Sequence, residues 1–572
     1  MNQNAAFVRK VGYIVAIGLL LLPLSALSQP ATVNRRGEIS PGGKLAQMRT
    51  QFNLSQAELG AIDPASETMK LATLGLRGVA TNFLWIAANH YKMVEDWDKL
   101  ELTVKQIIRL QPNFLEVWDF QAHNLSYNVS VEFDDYRMRY QWVKKGIEFL
   151  IQGTHYNRQE PGLLNQVGWF TSQKMGRSDE KKQFRRIFKE DDLLHKSYRD
   201  DGVEVDQGLG PDGKPDNWLV ARLWFNKATD AVTFSGKPIR GKTPLLFYSG
   251  GAMSQMNGAA NMQTDGYFYE PAQAAWERGA ADWLAFGTRE LPTTAGFNIR
   301  LNDLEQLQAR IKAGNDRIDE LAPGARKLAR EAKIESLKPE LKAALEKPQN
   351  LRNRDEIDLA NQAEGLIFVT PREVGAKAPP EAKAEIRAMI EQLENDALVV
   401  MKIASDRKIV NFEYWRTRCE AERGKLAQDA HKAVYDADRL FAEGEKFGEA
   451  RKRYEEAWNH WAAVYKQFPV LMDNAESQDL IDSIKQYRSL LNQLDEPFPV
   501  DFVLNDMLEL HHEGRDLKAQ VRLLSEAAGD KPAPKRSDGQ NPPANAPEPT
   551  PAEPPKENLP EGSKSETPET DK

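Results

Sequence analysis

Between residues 81 and 114, bulky side chains recur at helical spacing in two runs separated by a short polar turn. Leu84 and Tyr91 lie in the first run, Trp97, Leu100, Val104 and Ile107 in the second, and Pro112 closes the segment. Apolar groups returning every three or four positions predict amphipathic helices, one near residues 81–93 and one near 97–110. The pattern repeats in phase, because Trp118 lies 34 residues after Leu84. The second unit is longer, and its second helix, expected over 136–151, carries Tyr140, Val143, Ile147 and Leu150 on one side. A third unit opens after Pro161 and Gly162 with Leu164, Val167 and Gly168.

The pattern changes beyond residue 200. Gly, Pro, Asp and Asn crowd residues 206–217 and 249–266, and helical periodicity survives only around 218–229. An irregular insertion with long loops and a short strand pair is the expectation, and loops of that length are commonly functional. Helix resumes after Pro271, with Ala275, Trp276, Ala280, Trp283 and Leu284 on one apolar side. Residues 301–345, rich in Ala, Glu, Leu, Lys and Arg, read as exposed or coiled helices. After Pro371, Pro379 and Pro380, a long seam begins with Ile386, Met389, Leu393, Ala397 and Val400. It continues through Trp415, Cys419, Leu426, Ala430, Val434, Ala437 and Phe441, as on a long coiled-coil-like helix or a helical hairpin. Another hairpin carries Phe447, Ala450, Tyr454 and Ala457, and helices are expected over 476–494 and 503–523.

These signals divide the chain into an N-terminal targeting segment (1–28), a polar stalk (29–64), helical hairpins (65–190) and the insertion (191–270). A helical region (271–375), long helices with the later hairpin (376–528) and a tail (529–572) follow. The tail is dense in Pro, Glu, Lys and Ser with almost nothing apolar. It cannot bury enough surface to offset its ordering entropy, so disorder is expected there. At the other end, Arg9 and Lys10 precede an apolar run of 17 residues from Val11 to Leu27, the lower limit for a membrane span. Ala26 and Ser28 also place small residues where a signal peptidase reads, so a retained anchor and a cleaved signal both fit. Either one sends the bulk of the chain to the extracytoplasmic side of a membrane, and only retention leaves it anchored there.

Composition narrows the chemistry. A net charge of -8 over 572 residues, with no one-signed basic patch among aromatics, argues against nucleic acid as a partner. Cys419 is the sole cysteine, so no intrachain disulfide and no thiolate metal site can form. The run from Gly236 to Gly241, Lys242 and Thr243 has phosphate-loop spacing. Pro238 removes one amide donor from it, and no downstream strand ends in an aspartate for magnesium, so a surface turn fits better. Asp206, Asp212 and Asp216 sit in a Gly-rich loop that invites calcium, but Lys214 stands where a ligand belongs, and an Asp/Gly turn into a helix at Trp218 is favoured. His511 and His512 would point about 100° apart on a helix and cannot converge on one ion. Gly251 to Met256 faintly resembles a glycine-and-glutamine motif of lytic transglycosylases, but Ser254 replaces its glycine. No cofactor and no catalytic residue is predicted.

The hairpin spacing resembles the tetratricopeptide-like helical-repeat class over about 80–175 and partly over 435–470, under a third of the chain. The resemblance implies a mostly α fold whose stacked hairpins leave a groove for another polypeptide. It further implies that the first helix of each unit lines that groove. Those positions are Asn82, Trp85, Asn89 and Lys92, then Glu116, Asp119, His123 and Ser126, then Asn165, Trp169 and Ser172. Asparagines there would bond a peptide backbone, and Lys92 would meet a carboxylate. The expected function is a membrane-anchored scaffold that binds a protein or peptide. The alternative is an envelope enzyme with a glycan-cleaving or nucleotide-dependent site in the 200–270 insertion.

Overall fold

Several helices start at a capping side chain, those headed by Asp96, Asp135, Asp191, Asp216, Thr243, Asn353 and Thr370 among them. The computed structural model describes residues 77–519 apart from 158, 474–476 and 513, with a few isolated positions before 77. The proposed N-terminal span, most of the stalk and the Pro/Glu-rich tail fall outside the described residues. Among the described residues no helix is long and apolar enough to cross a membrane.

The protein is mostly α-helical. Helices α1 (Arg77–Met93) and α2 (Trp97–Leu110) form the first hairpin, with the Asp96 carboxylate accepting from the Lys99 N–H to cap α2. Leu100, Val104 and Ile107 are buried as their spacing requires. Helix α3 (Leu115–His123) runs on through a π-helical turn (Asn124–Val129) and a 3₁₀ turn (Ser130–Glu132). Helix α4 (Tyr136–Tyr156) returns against it. Helix α5 (Pro161–Trp169), with proline in its first turn, also passes into a π-helical turn (Phe170–Lys174) before a last turn at Met175–Arg177. Helices α6 (Lys181–Lys189) and α7 (Asp192–Asp200) follow. Asp191 caps α7 through the Leu194 N–H, and also accepts from Tyr140 at 3.0 Å and Lys144 at 2.7 Å, which locks α7 onto α4.

The 191–270 region corrects the sequence expectation. Asn217–Thr233 is helical (α8), but so is Pro244–Thr264 (α9), which runs straight through Ser249, Gly250 and Gly251. A helix covered on most sides needs no amphipathic stripe, and α9 packs against α8 and α10 (Glu270–Thr288). Its glycines allow the backbones to approach: a Cβ on Gly250 would stand 2.8 Å from the Phe225 ring. Of the apolar side expected on α10, Ala275, Trp276 and Trp283 are buried, whereas Leu284 faces outward.

The two-residue strands pair as antiparallel hairpins, β1 (Thr32–Val33) with β2 (Ile39–Ser40) and β3 (Leu291–Pro292) with β4 (Asn298–Ile299). Helices α11 (Leu304–Leu321), α12 (Ala325–Ser336), α13 (Pro339–Glu346), α14 (Arg354–Ile367) and α15 (Pro371–Ala376) lead to α16 (Lys383–Ile409). Helix α16 packs on α11 and α15 and buries Ile386 and Leu393. Ala397, expected in its seam, is exposed, and Asp396 takes the inward place, bonded to Arg310 at 2.6 Å. The seam then breaks at Gly424 into α17 (Phe412–Arg423) and α18 (Lys425–Glu443). Helix α18 pairs with α19 (Phe447–Gln467), and α20 (Ser477–Gln493) and α21 (Asn505–Leu510) complete the described helices named here.

Neighbours in sequence pack together, α3 with α4, α4 with α5, α8 with α9 and α9 with α10, and helices distant in sequence also pair, α5 with α8, α11 with α16 and α10 with α17. One core gathers Trp118, Tyr140 and Trp224, a second gathers Trp276, Trp415 and Trp458, and a small third surrounds Ile386. Helix α8 serves two of them, with Val220 in the first and Leu219 in the second. The expected boundaries at 190 and 270 are therefore not boundaries of packing. In the second core, buried Cys419 lies 3.3 Å from Met256 Sδ, and burial pushes its thiol up to about 12, which fits a small core residue.

The second core also holds a buried carboxylate. Burial pushes Glu422 upward, but His431 at 2.9 Å, Arg418 at 3.7 Å and the Gln263 amide at 3.0 Å outweigh it and hold the group at about 2. Its ordinary value is 4.5. The contribution to stability is present above that value and is lost as pH falls towards the folded value. Denaturant titrations of wild type and Glu422→Gln should diverge above pH 4.5 and converge as pH falls towards about 2. The shift corresponds to a loss on the order of 3 kcal/mol, and parallel curves would contradict this assignment.

Candidate partner-binding face

The first helices of successive hairpins present adjoining faces. On α1, the half-buried Trp85 ring lies 5.2 Å from Phe114 and 4.8 Å from Phe120. Lys92 Nζ lies 5.2 Å from the centroid of the same Phe120 ring, and Asn82 is exposed on the same helix. The Asn89 amide donates to Trp85 O at 2.9 Å, back onto its own helix. On α3, Glu116 is exposed, while Asp119 accepts from Gln166 Nε2 at 2.7 Å, bridging to α5. Burial pushes the Asp119 carboxyl up, against the Gln166 hydrogen bond. His123 keeps an exposed edge and stacks on Tyr127 at 4.6 Å with 15° between planes. Partial burial, and then the positive charge of Lys92, push its imidazole down. Tyr127 reaches Trp169 at 6.1 Å and Phe170 at 5.8 Å, which carries the aromatic band onto α5. Trp169 itself is 36% exposed.

Three of the residues expected to line a groove do not. Ser126 and Ser172 are buried, the first directed at Val143 O and the second bonded to Trp169 O. Asn165 is also buried, donating to Phe247 O at 3.2 Å and accepting from Lys242 at 2.6 Å, because the start of α9 covers that part of α5. The two serines fail for one physical reason. A π-helical turn holds more residues than an α-turn, so the outward face shifts in register. Past His123 the next surface ring is therefore Tyr127 rather than Ser126, and past Trp169 the inward-reaching polar group is Lys174. Phe120, Tyr127 and Gln166 thus belong to this face and were missed by straight-helix spacing, while Lys174 is buried against the Tyr127 ring and Lys242 reaches Gln166 from the loop before α9.

The residues considered for other chemistry are engaged in packing. Lys242 is held by the side-chain oxygens of Asn165 and Gln166, and burial pushes its ammonium down to about 8. Thr243 caps α9 and a helix, not a strand, precedes the loop, so the arrangement is not that of a phosphate loop. Asp216 caps α8, Asp212 pairs with Lys189 and Asp206 with Arg199. Among the described residues no group of three His, Cys, Asp or Glu side chains is placed to hold a metal ion. Ser254 and Gln255, within the transglycosylase-like stretch, bond Trp218 O and Ala275 O inside the core. His511 bonds Met472 O while His512 turns to Asp516. No family model matches the chain, and no solved structure matches it.

Proposed function

We propose that this chain is a membrane-anchored helical scaffold that binds another protein across the adjoining faces of α1, α3 and α5. One observation carries the reading: two groups of partly exposed rings along these helices, Trp85 with Phe120 and His123 with Tyr127 and Trp169, with Lys92 over Phe120. Aromatic side chains give large contact area at low entropic cost and dominate the energetics of protein interfaces. The hairpin spacing supports a tetratricopeptide-like arrangement, in which neighbour-to-neighbour packing leaves one face of the first helices for a ligand. The basic-then-apolar N-terminal segment supports tethering, with the helical part on the extracytoplasmic side.

The test combines Lys92→Glu with Trp169→Ser, both at positions with exposed surface. A partner crosslinked to the full chain and purified with it should bind the variant roughly tenfold or more weakly, a change of about 1.4 kcal/mol or more. Circular dichroism should stay unchanged. Equal affinity for variant and wild type would overturn the assignment of this face.

A further inference from the structure

A cavity of about 320 Å³ opens where the β3–β4 hairpin and the 3₁₀ turn Leu301–Asp303 meet α11 and α16. Small-ligand sites run from about 300 to 1,000 Å³. Ile299 and Leu307, both buried, give the cavity apolar lining. The lining also carries three carboxylates, from Glu290, Asp303 and Asp396, and two guanidiniums, from Arg300 and Arg310. The strand register, with Leu291 opposite Ile299, sets Glu290 across from Arg300, and the two form an ion pair. Arg310 grips both oxygens of Asp396. Asp303 is left over. It stands at the N-cap position of α11, but its side chain accepts no capping hydrogen bond, and among the described residues its carboxylate has no hydrogen-bond or ion-pair partner. Its charge acts on Arg310, whose fork is already turned to Asp396.

We propose that this cavity binds a primary ammonium group on a short apolar stem, with the charge at Asp303 and the stem against Ile299 and Leu307. The site is independent of the scaffold reading. Two of the three carboxylates are matched by the two guanidiniums, so one negative charge is in surplus. The positive end of α11 offsets roughly half of it, which suits a ligand of single charge. A divalent cation wants more oxygen ligands, and no group of three His, Cys, Asp or Glu side chains among the described residues is placed to hold a metal ion. An anion would meet the surplus carboxylate. An ammonium offers three donors, and the exposed side-chain amides of Asn298 and Gln306 line the same cavity, adding acceptor oxygens to the Asp303 carboxylate. A free alkylamine and a lysine side chain of another protein both carry this group.

The experiment follows binding to the full chain by saturation-transfer NMR, with n-butylammonium and end-blocked lysine as probes and n-butanol as the uncharged control. At least one ammonium probe should bind roughly tenfold or more tightly than butanol. Asp303→Asn should remove that preference, and Gln306→Leu, at an exposed position, should weaken it severalfold. Asp303→Glu keeps the charge and should retain part of the preference, which separates loss of charge from a folding defect. Calcium should compete no better than sodium at equal ionic strength. Blocked lysine binding at least as tightly as butylammonium supports the site and assigns it to a protein side chain. Tighter butylammonium supports it and assigns it to a free amine. Equal binding of probes and control, no binding of any, or an unchanged preference in Asp303→Asn would each overturn the site. Displacement by calcium would make it a metal site and overturn it equally.

Discussion

Trp118→Ala is expected to destabilise the first core by about 3–5 kcal/mol, the cost of removing a fully buried large aromatic side chain. Trp118 is wholly inaccessible, its ring stacks on Tyr156 at 5.5 Å and lies 4.9 Å from Phe149, and its indole N–H donates to Pro112 O at 2.9 Å. That carbonyl keeps a partner in the variant, because Asn157 also donates to it at 3.0 Å, so the loss is chiefly one of packing. The contact has a counterpart on α4. A Cβ on Gly153 would stand 2.9 Å from the Trp118 ring, so Gly153→Ala overpacks the site and should cost about 1–3 kcal/mol. Truncating the tryptophan makes room for that methyl group. The double variant should therefore be less unstable than the sum of the single ones, and strict additivity in a urea titration would contradict the contact.

Asp216→Ala is expected to cost about 2–4 kcal/mol, through a lost helix cap and a lost acceptor for a buried cation. One carboxylate oxygen accepts from the Trp218 and Leu219 N–H groups at 2.9 and 3.2 Å, and the other lies 3.5 Å from the Arg185 guanidinium. Asp265 still holds Arg185 at 2.7 Å, which keeps the loss below that of an isolated buried charge. Asp216→Asn preserves the capping oxygen and should lose roughly half as much. Thermal denaturation with and without calcium separates this role from cation binding. Equal midpoints are expected, and a calcium-dependent rise in wild type that Asp216→Asn abolishes would contradict the capping account.

The parts legible in the sequence were those where burial is one-sided. Helix α2 buries Leu100, Val104 and Ile107 while its opposite face meets solvent, so spacing alone reveals it. Helix α9 failed that reading because its small and polar residues serve close approach inside a packed layer, where Ser254 and Gln255 spend their polar groups on neighbouring carbonyls. Asp396 was unreadable as a seam residue because its inward place depends on Arg310, which is distant in sequence. At the candidate face, Trp85, His123 and Trp169 were recoverable from position. Tyr127 was not, because a π-helical turn arises from a slip in backbone hydrogen bonding that no apolar period encodes.

The central claim is that the ring-bearing faces of α1, α3 and α5 form the contact surface. Its most direct test is site-specific photocrosslinking with benzoylphenylalanine placed at His123 and, separately, at Leu193 on α7, which is 75% exposed. The account predicts that the copurifying protein is captured from position 123 and not from position 193. Capture from 193 alone, or equally from both, would contradict it.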